Sequence, residues 1–230
     1  MQLTLNSRFA GNVYIIECKG RIVLGPETKA LEAALDMAAH EFHQFVLSLA
    51  EVDRLDSIGV GLIARYAEHL RKRGGDIRLG SPPQFLVHLL QLTRLSDSLI
   101  SYPTEDEAIL SFLRQRPADD AKPRSGFRVL FVDESADLGV FVRSVLREHG
   151  FDVRASCLLR DAKVLLQVDT VDYILAGPGS PARPAESVLS TLAPLAPKAI
   201  ALRLDDDFKF RDASEATASL LAMFKVHGSA

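Results

Sequence analysis

The sequence predicts two α/β domains in tandem, on three observations. A chain of 230 residues is long for one small domain and comfortable for two. Residues 114–126 read RQRPADDAKPRSG, with two prolines, mixed charges and no large apolar residue, so this stretch cannot bury a face and reads as a solvated linker. On both sides of it, short β-rich runs alternate with amphipathic helical stretches. The expected division is a first domain of residues 1–113, a linker of residues 114–126 and a second domain of residues 127–230.

The bulk numbers narrow the function classes. Apolar residues make up 47% of the chain, enough for two cores. The formal net charge of -3 gives no electrostatic case for a nucleic-acid surface. No apolar run approaches the ~20 residues that span a bilayer, and the start MQLTLNSRFAGN lacks the basic and apolar regions of a signal peptide. Cys18 and Cys157 are far apart and read as small core residues. The six histidines show no compact ligand spacing, and Asp205-Asp206-Asp207 reads as a solvated loop. A cytoplasmic protein without metal, cofactor, membrane or nucleic-acid partner is the expectation.

In the first domain, LTLNSRF and VYIIECKG flank Gly11-Asn12 and suggest a hairpin. PETKALEAALDMAAHEF is helical, with Pro26 and Glu27 in the first turn. QFVLSLAEV reads as a short buried strand ending near Leu49. Ile58 to Lys72 places Val60, Ile63, Ala64, Ala67 and Leu70 on one helical face. Asp76 to Leu79 is a strand, PQFLVHLLQLTRL a helix, Leu99 to Tyr102 an edge strand, and Glu105 to Leu113 a closing helix with its acids at the positive end of the dipole. The order is β-β-α-β-α-β-α-β-α. The second domain alternates more simply. Its strands are Val129–Val132, Phe151–Val153, Asp172–Ala176 and Ala199–Leu202, each followed by a helical stretch, which implies a parallel sheet with helices on both faces.

The stretch RLDSIGVG, residues 54–61, carries the most chemistry. Gly59-Val60-Gly61-Leu62-Ile63-Ala64 fits the dinucleotide pattern G-x-G-x-x-A. That pattern needs its first glycine tight against a strand end, and here a polar stretch follows Leu49. A phosphate-binding P-loop would need Gly-Lys-Ser/Thr, and a nucleophile elbow would need a glycine two residues before Ser57. The plainest reading is that Asp56 or Ser57 caps a helix and the glycines let it pack closely on the sheet.

The pattern Asp-Ser-x-Gly-Val-Gly after an apolar strand, with β-β-α before it and α-β-α after it, resembles the STAS domain, the family of the bacterial anti-sigma factor antagonists. The resemblance covers roughly residues 1–115. It implies a STAS-like sheet with packed helices. It also implies that the loop and helix start bind an anti-sigma factor that is a histidine-kinase-like serine kinase. The site expected from it is Asp56, Ser57, Ile58, Gly59, Val60 and Gly61, with Val23 beside them. Phosphorylation blocks that binding in the family: a phosphate brings nearly two negative charges into a packed interface. Two departures stand out. The usual acceptor position, directly before the first glycine, is Ile58, which leaves Ser57 as the one candidate for phosphorylation. A Gly-x-Leu-Asp pattern on the second strand becomes Gly20-Arg21-Ile22-Val23. The favoured expectation is a switch locked in its binding state, with Ile58 as an interface anchor.

RVLFVDESADLGVFVRSVLREHGFDV followed by DYILAGPGSP resembles a response-regulator receiver, a doubly wound, flavodoxin-like parallel sheet. The resemblance implies a magnesium-binding acid pair, matched by Asp133 and Glu134, and an acceptor aspartate, whose position is Gly177. The hydroxyl position is Arg203, and the lysine is matched at most by Lys209, displaced. Little sequence separates Leu204 from the last helix, so a helix and a fifth strand are expected to be missing. Without a carboxylate there is no aspartyl-phosphate chemistry. This domain reads as a degenerate receiver, a pseudo-receiver used for protein contacts, homodimerisation among them. The resulting expectation is a non-enzymatic anti-sigma factor antagonist. The alternatives are a phosphorelay protein phosphorylated on Ser57 and a nucleotide-binding STAS module.

Overall fold

A computed structural model describes residues 2–114, 126–180 and 183–225. The stretch expected to be a linker lies almost wholly outside the described residues, as does His227. The chain divides into two compact units, residues 1–115 and 116–230. No described helix is long and apolar enough to cross a membrane.

The first unit is built on strands β1 (Thr4–Ala10), β2 (Val13–Ile22), β3 (Gln44–Leu55), β4 (Asp76–Gly80) and β5 (Ser101–Tyr102), neighbours in that order. Strands β1 and β2 form an antiparallel hairpin in which Ala10 faces Val13. Its two-residue turn puts Gly11 at a φ of 64°, a conformation that favours glycine. The remaining pairs, β2–β3, β3–β4 and β4–β5, are parallel. Helices α1 (Pro26–Ala38), α2 (Ser57–Arg71) and α3 (Gln84–Leu92) link them, and α4 (Glu105–Arg114) closes the unit. Fully buried Ile15, Ile16, Phe45, Leu47, Ile63 and Leu70 form the centre of its core.

One expectation needs correction here and another is extended. Strand β3 does not end near Leu49 but runs to Leu55, because the polar residues of Glu51-Val52-Asp53-Arg54-Leu55 face outward while Val52 and Leu55 are buried. Pairing continues to Ile22 opposite Leu55 through two register shifts. The acids of α4 do more than meet the dipole: Glu105 is buried and forms an ion pair with buried Arg8 on β1.

The second unit has β6 (Arg128–Val132), α5 (Ala136–Glu148), β7 (Asp152–Ser156), α6 (Leu159–Leu166) and β8 (Tyr173–Ala176). A small antiparallel hairpin of β9 (Gly179–Ser180) and β10 (Arg183–Pro184) follows, then α7 (Ala185–Leu192), β11 (Ile200–Arg203) and α8 (Ala213–Lys225). The sheet order is β11-β8-β6-β7, and all three pairings are parallel. Between β11 and α8 the described chain holds a single 3-10 turn at Phe208–Phe210.

Candidate functional site

The start of α2 is organised by one carboxylate. Asp56 follows β3 directly, and its backbone N–H donates to the Ile22 carbonyl at 3.3 Å. Its Oδ1 accepts from the Gly59 N–H at 2.8 Å, capping the helix, and its Oδ2 accepts from the Leu24 N–H at 2.9 Å. Burial pushes the carboxyl up, but the N–H groups of Leu24, Gly59 and Ile58 outweigh it and hold the pKa below the usual value. Asp56 thereby ties the loop after β2 to the start of α2. The same loop is braced from its other side by Arg21, whose Nε donates to Glu27 at 3.0 Å. Gly25 between these anchors takes a φ of 137°, open to glycine and strained for other residues.

The two glycines do different work. A Cβ on Gly59 would lie 2.6 Å from the Ile22 carbonyl oxygen, so close packing of α2 on β2 requires glycine there. A Cβ on Gly61 would meet nothing within 4 Å. The expectation that both glycines serve packing holds for Gly59 alone.

The structure divides the residues expected at this site. Ser57, Ile58 and Gly61 are exposed, Ile58 to 49%. Asp56 and Val23 are half-buried. Gly59 and Val60 are buried, and Val60 joins the core, where it holds the helix to its own domain and cannot face a partner. Leu24 is 70% exposed and held by Asp56, and sequence reasoning missed it. Its signal was a large apolar residue directly before Gly25-Pro26, outside any strand or helix stripe.

The dinucleotide pattern fails, but not for want of a nearby strand. Leu55 ends β3 one residue before Asp56. The obstacle is that Gly59 lies inside the first turn of α2 and its N–H already donates to the Asp56 carboxylate. The helix N-terminus is satisfied by an internal anion.

A second acid sits at the end of β6. The Asp133 side chain is fully buried. Its Oδ1 accepts from the Ser135 N–H at 2.9 Å and lies 3.4 Å from Lys209 Nζ, and its Oδ2 accepts from the Gly179 N–H at 3.3 Å. Glu134 pairs with Arg183 of β10 at 3.3 Å. Gly177, the residue after β8, packs so closely on Asp133 that any Cβ would overlap its carboxylate. Arg203 is engaged by Glu186 and, at 3.7 Å, by Asp206. These residues do not fit the magnesium ion that a receiver resemblance implies. Both Asp133 oxygens are committed to N–H groups and an ammonium, Glu134 is held by a guanidinium, and position 177 has no room for a third ligand. Elsewhere, the Cys18 thiol is buried, which pushes its pKa up to about 12, so it is chemically quiet.

Residues 4–108 match the family model of the STAS domain, so a STAS domain occupies the first unit and includes the site around Asp56. No curated protein matches the chain. Solved structures similar to it include an anti-sigma factor antagonist from Mycobacterium paratuberculosis, 24% identical with a TM-score of 0.44, covering 48% of this chain and 93% of that one. The anti-sigma factor antagonist SpoIIAA in its unphosphorylated form is 16% identical with a TM-score of 0.41, over 50% of this chain and 99% of the other. A candidate anti-sigma factor antagonist from Thermotoga maritima is 22% identical with a TM-score of 0.38, over 46% and 92%.

Proposed function

We propose that the first unit is an anti-sigma factor antagonist acting in the cytoplasm by binding, without catalysis. Its partner is an anti-sigma factor of the histidine-kinase-like serine kinase class. The observation that carries this reading is the tie made by Asp56. One carboxylate fixes the Leu24 backbone and the start of α2 together, and so presents two large apolar side chains, Leu24 and Ile58, beside an open Gly61. Exposed apolar side chains held rigidly are suited to anchor an interface, since little conformational freedom is lost on binding. The match of residues 4–108, this loop among them, to the STAS family model supports the reading.

Ile58 stands where the family resemblance puts the phosphoacceptor, and isoleucine takes no phosphate. The module is therefore constitutively competent to bind. Ser57 supports a second reading, because it is exposed at the first position of α2 and so open to a kinase. The second unit is read as a pseudo-receiver that works through protein contacts. Counted from β7, the strand order β7-β6-β8-β11 corresponds to 2-1-3-4 of the flavodoxin-like arrangement, and the Asp133, Glu134 and Gly177 positions are closed by internal partners.

Binding of the full chain to each histidine-kinase-like anti-sigma factor encoded in the host genome tests this reading, with wild type and Ile58→Asp side by side. Micromolar or tighter binding to one of them, weakened at least ~10-fold by Ile58→Asp with the fold unchanged, is the expected result. Failure of every such protein to bind would sink it. Mass spectrometry after incubation with the bound kinase and ATP separates the two switch readings: an unmodified Ser57 supports the locked form, and a phosphate there replaces it with the second.

A further inference from the structure

Strand β11 ends the sheet of the second unit, and its outer edge is bare. Among the described residues it pairs with β8 alone. The Ile200 N–H donates to the Asp172 carbonyl and the Leu204 N–H to the Ala176 carbonyl, so the alternation of a strand directs the N–H groups of Ala201 and Arg203 away from β8. Parallel strands are normally covered on both faces, and β6 and β8 follow that rule. In β11, Ile200, Ala201 and Arg203 are exposed and Leu202 is half-buried. The neighbouring Leu195 is 51% exposed. Apart from its shortness, β11 carries little to guard its edge: it holds no proline, lysine or bulge, and its one charge, Arg203, is drawn to Glu186 and Asp206.

We infer that this edge pairs antiparallel with the same strand of a second copy of the chain. Charge selects that occupant. Exposed Lys198 precedes the strand and the exposed acids Asp205, Asp206 and Asp207 follow it. A two-fold axis near Ala201–Leu202 sets the Lys198 of each copy beside the acids of the other and joins Ile200 and Leu202 into one apolar strip. A parallel pairing would oppose like charges at both ends. The ladder is short, so the dimer is one that dissociates on dilution through the micromolar range. This inference stands apart from the anti-sigma reading, because the first unit contributes nothing to it.

Sedimentation of the full chain over a concentration series tests it, alongside Ala201→Pro. Proline is tolerated on an edge where the N–H faces outward, and it removes that N–H from both copies at once. The expected result is a wild-type dimer whose dissociation constant rises roughly tenfold or more in Ala201→Pro, with unchanged circular dichroism. Lys198→Glu should weaken the dimer as well, and adding Asp206→Lys should restore it. A monomer at every concentration, or a dimer indifferent to both Ala201→Pro and Lys198→Glu, overturns the inference. Anti-sigma binding by Ala201→Pro, measured in parallel, keeps a failure here separate from a failure of the proposed function.

Discussion

Asp56 and Asp133 occupy equivalent places in two different sheets. Each directly follows a parallel strand, and each uses its carboxylate to gather N–H groups from the helix start beside it and from a second segment of its unit. They differ in what lies outside them. Asp56 is half-buried, no ion pair neutralises it among the described residues, and Leu24 and Ile58 surround it facing solvent. Asp133 is buried and neutralised by Lys209, and the backbone of Gly177 packs against it. The same local device serves an outward-facing surface in one unit and a sealed corner in the other. Whether an acid at a strand end is available for chemistry is thus set by what its neighbours leave uncovered.

Breaking the sealed corner should cost most. Asp133→Ala leaves an ammonium and two N–H groups without their acceptor, and the second unit should lose about 3 kcal/mol, seen as an earlier transition in denaturant-induced loss of circular dichroism. An unshifted transition would mean the corner is solvated rather than sealed. Gly59→Ala comes next: with the Ile22 carbonyl oxygen only 2.6 Å from the new Cβ, α2 must move, at a cost of about 1–3 kcal/mol in the same measurement. Asp56→Ala removes a cap and should cost about 1 kcal/mol at neutral pH. Because the folded carboxyl is held below its ordinary pKa, this contribution is complete above the unfolded value and disappears as pH falls through the folded one. The gap between wild type and Asp56→Ala should therefore close only in acid, below pH ~4. The smallest effect has the opposite sign: Gly61→Ala should stabilise by roughly 0.5–1 kcal/mol, since its Cβ enters open space on a helix. Loss of partner binding in that stabilised variant would mark Gly61 as a point of close approach.

The sequence made the element order of the first unit legible, because alternating strands and helical stripes such as Val60, Ile63, Ala67 and Leu70 announce a buried face locally. It hid the second half of β3. Val52 and Leu55 are separated by outward-facing polar residues, and only the long partner β2 explains why the strand continues. The cap of Asp56 was visible as a cap, whereas its second bond to Leu24 joins segments distant in sequence and leaves no local mark. Lys209 presents the same difficulty. Its alignment to a receiver lysine is displaced, yet its long side chain reaches Asp133 across the fold. Local pattern shows which groups are present; the pairing of distant groups exists only in the folded chain.

The contact between Gly177 and Asp133 also constrains the order in which this sequence can change. While Asp133 keeps its carboxylate in place, position 177 is closed to any side chain at all, an aspartate included. A mutant library at 177 should accordingly recover glycine alone until Asp133 is shortened or Lys209 is replaced. Any route from this sealed corner to one that bears a side chain at 177 thus runs through at least one less stable intermediate.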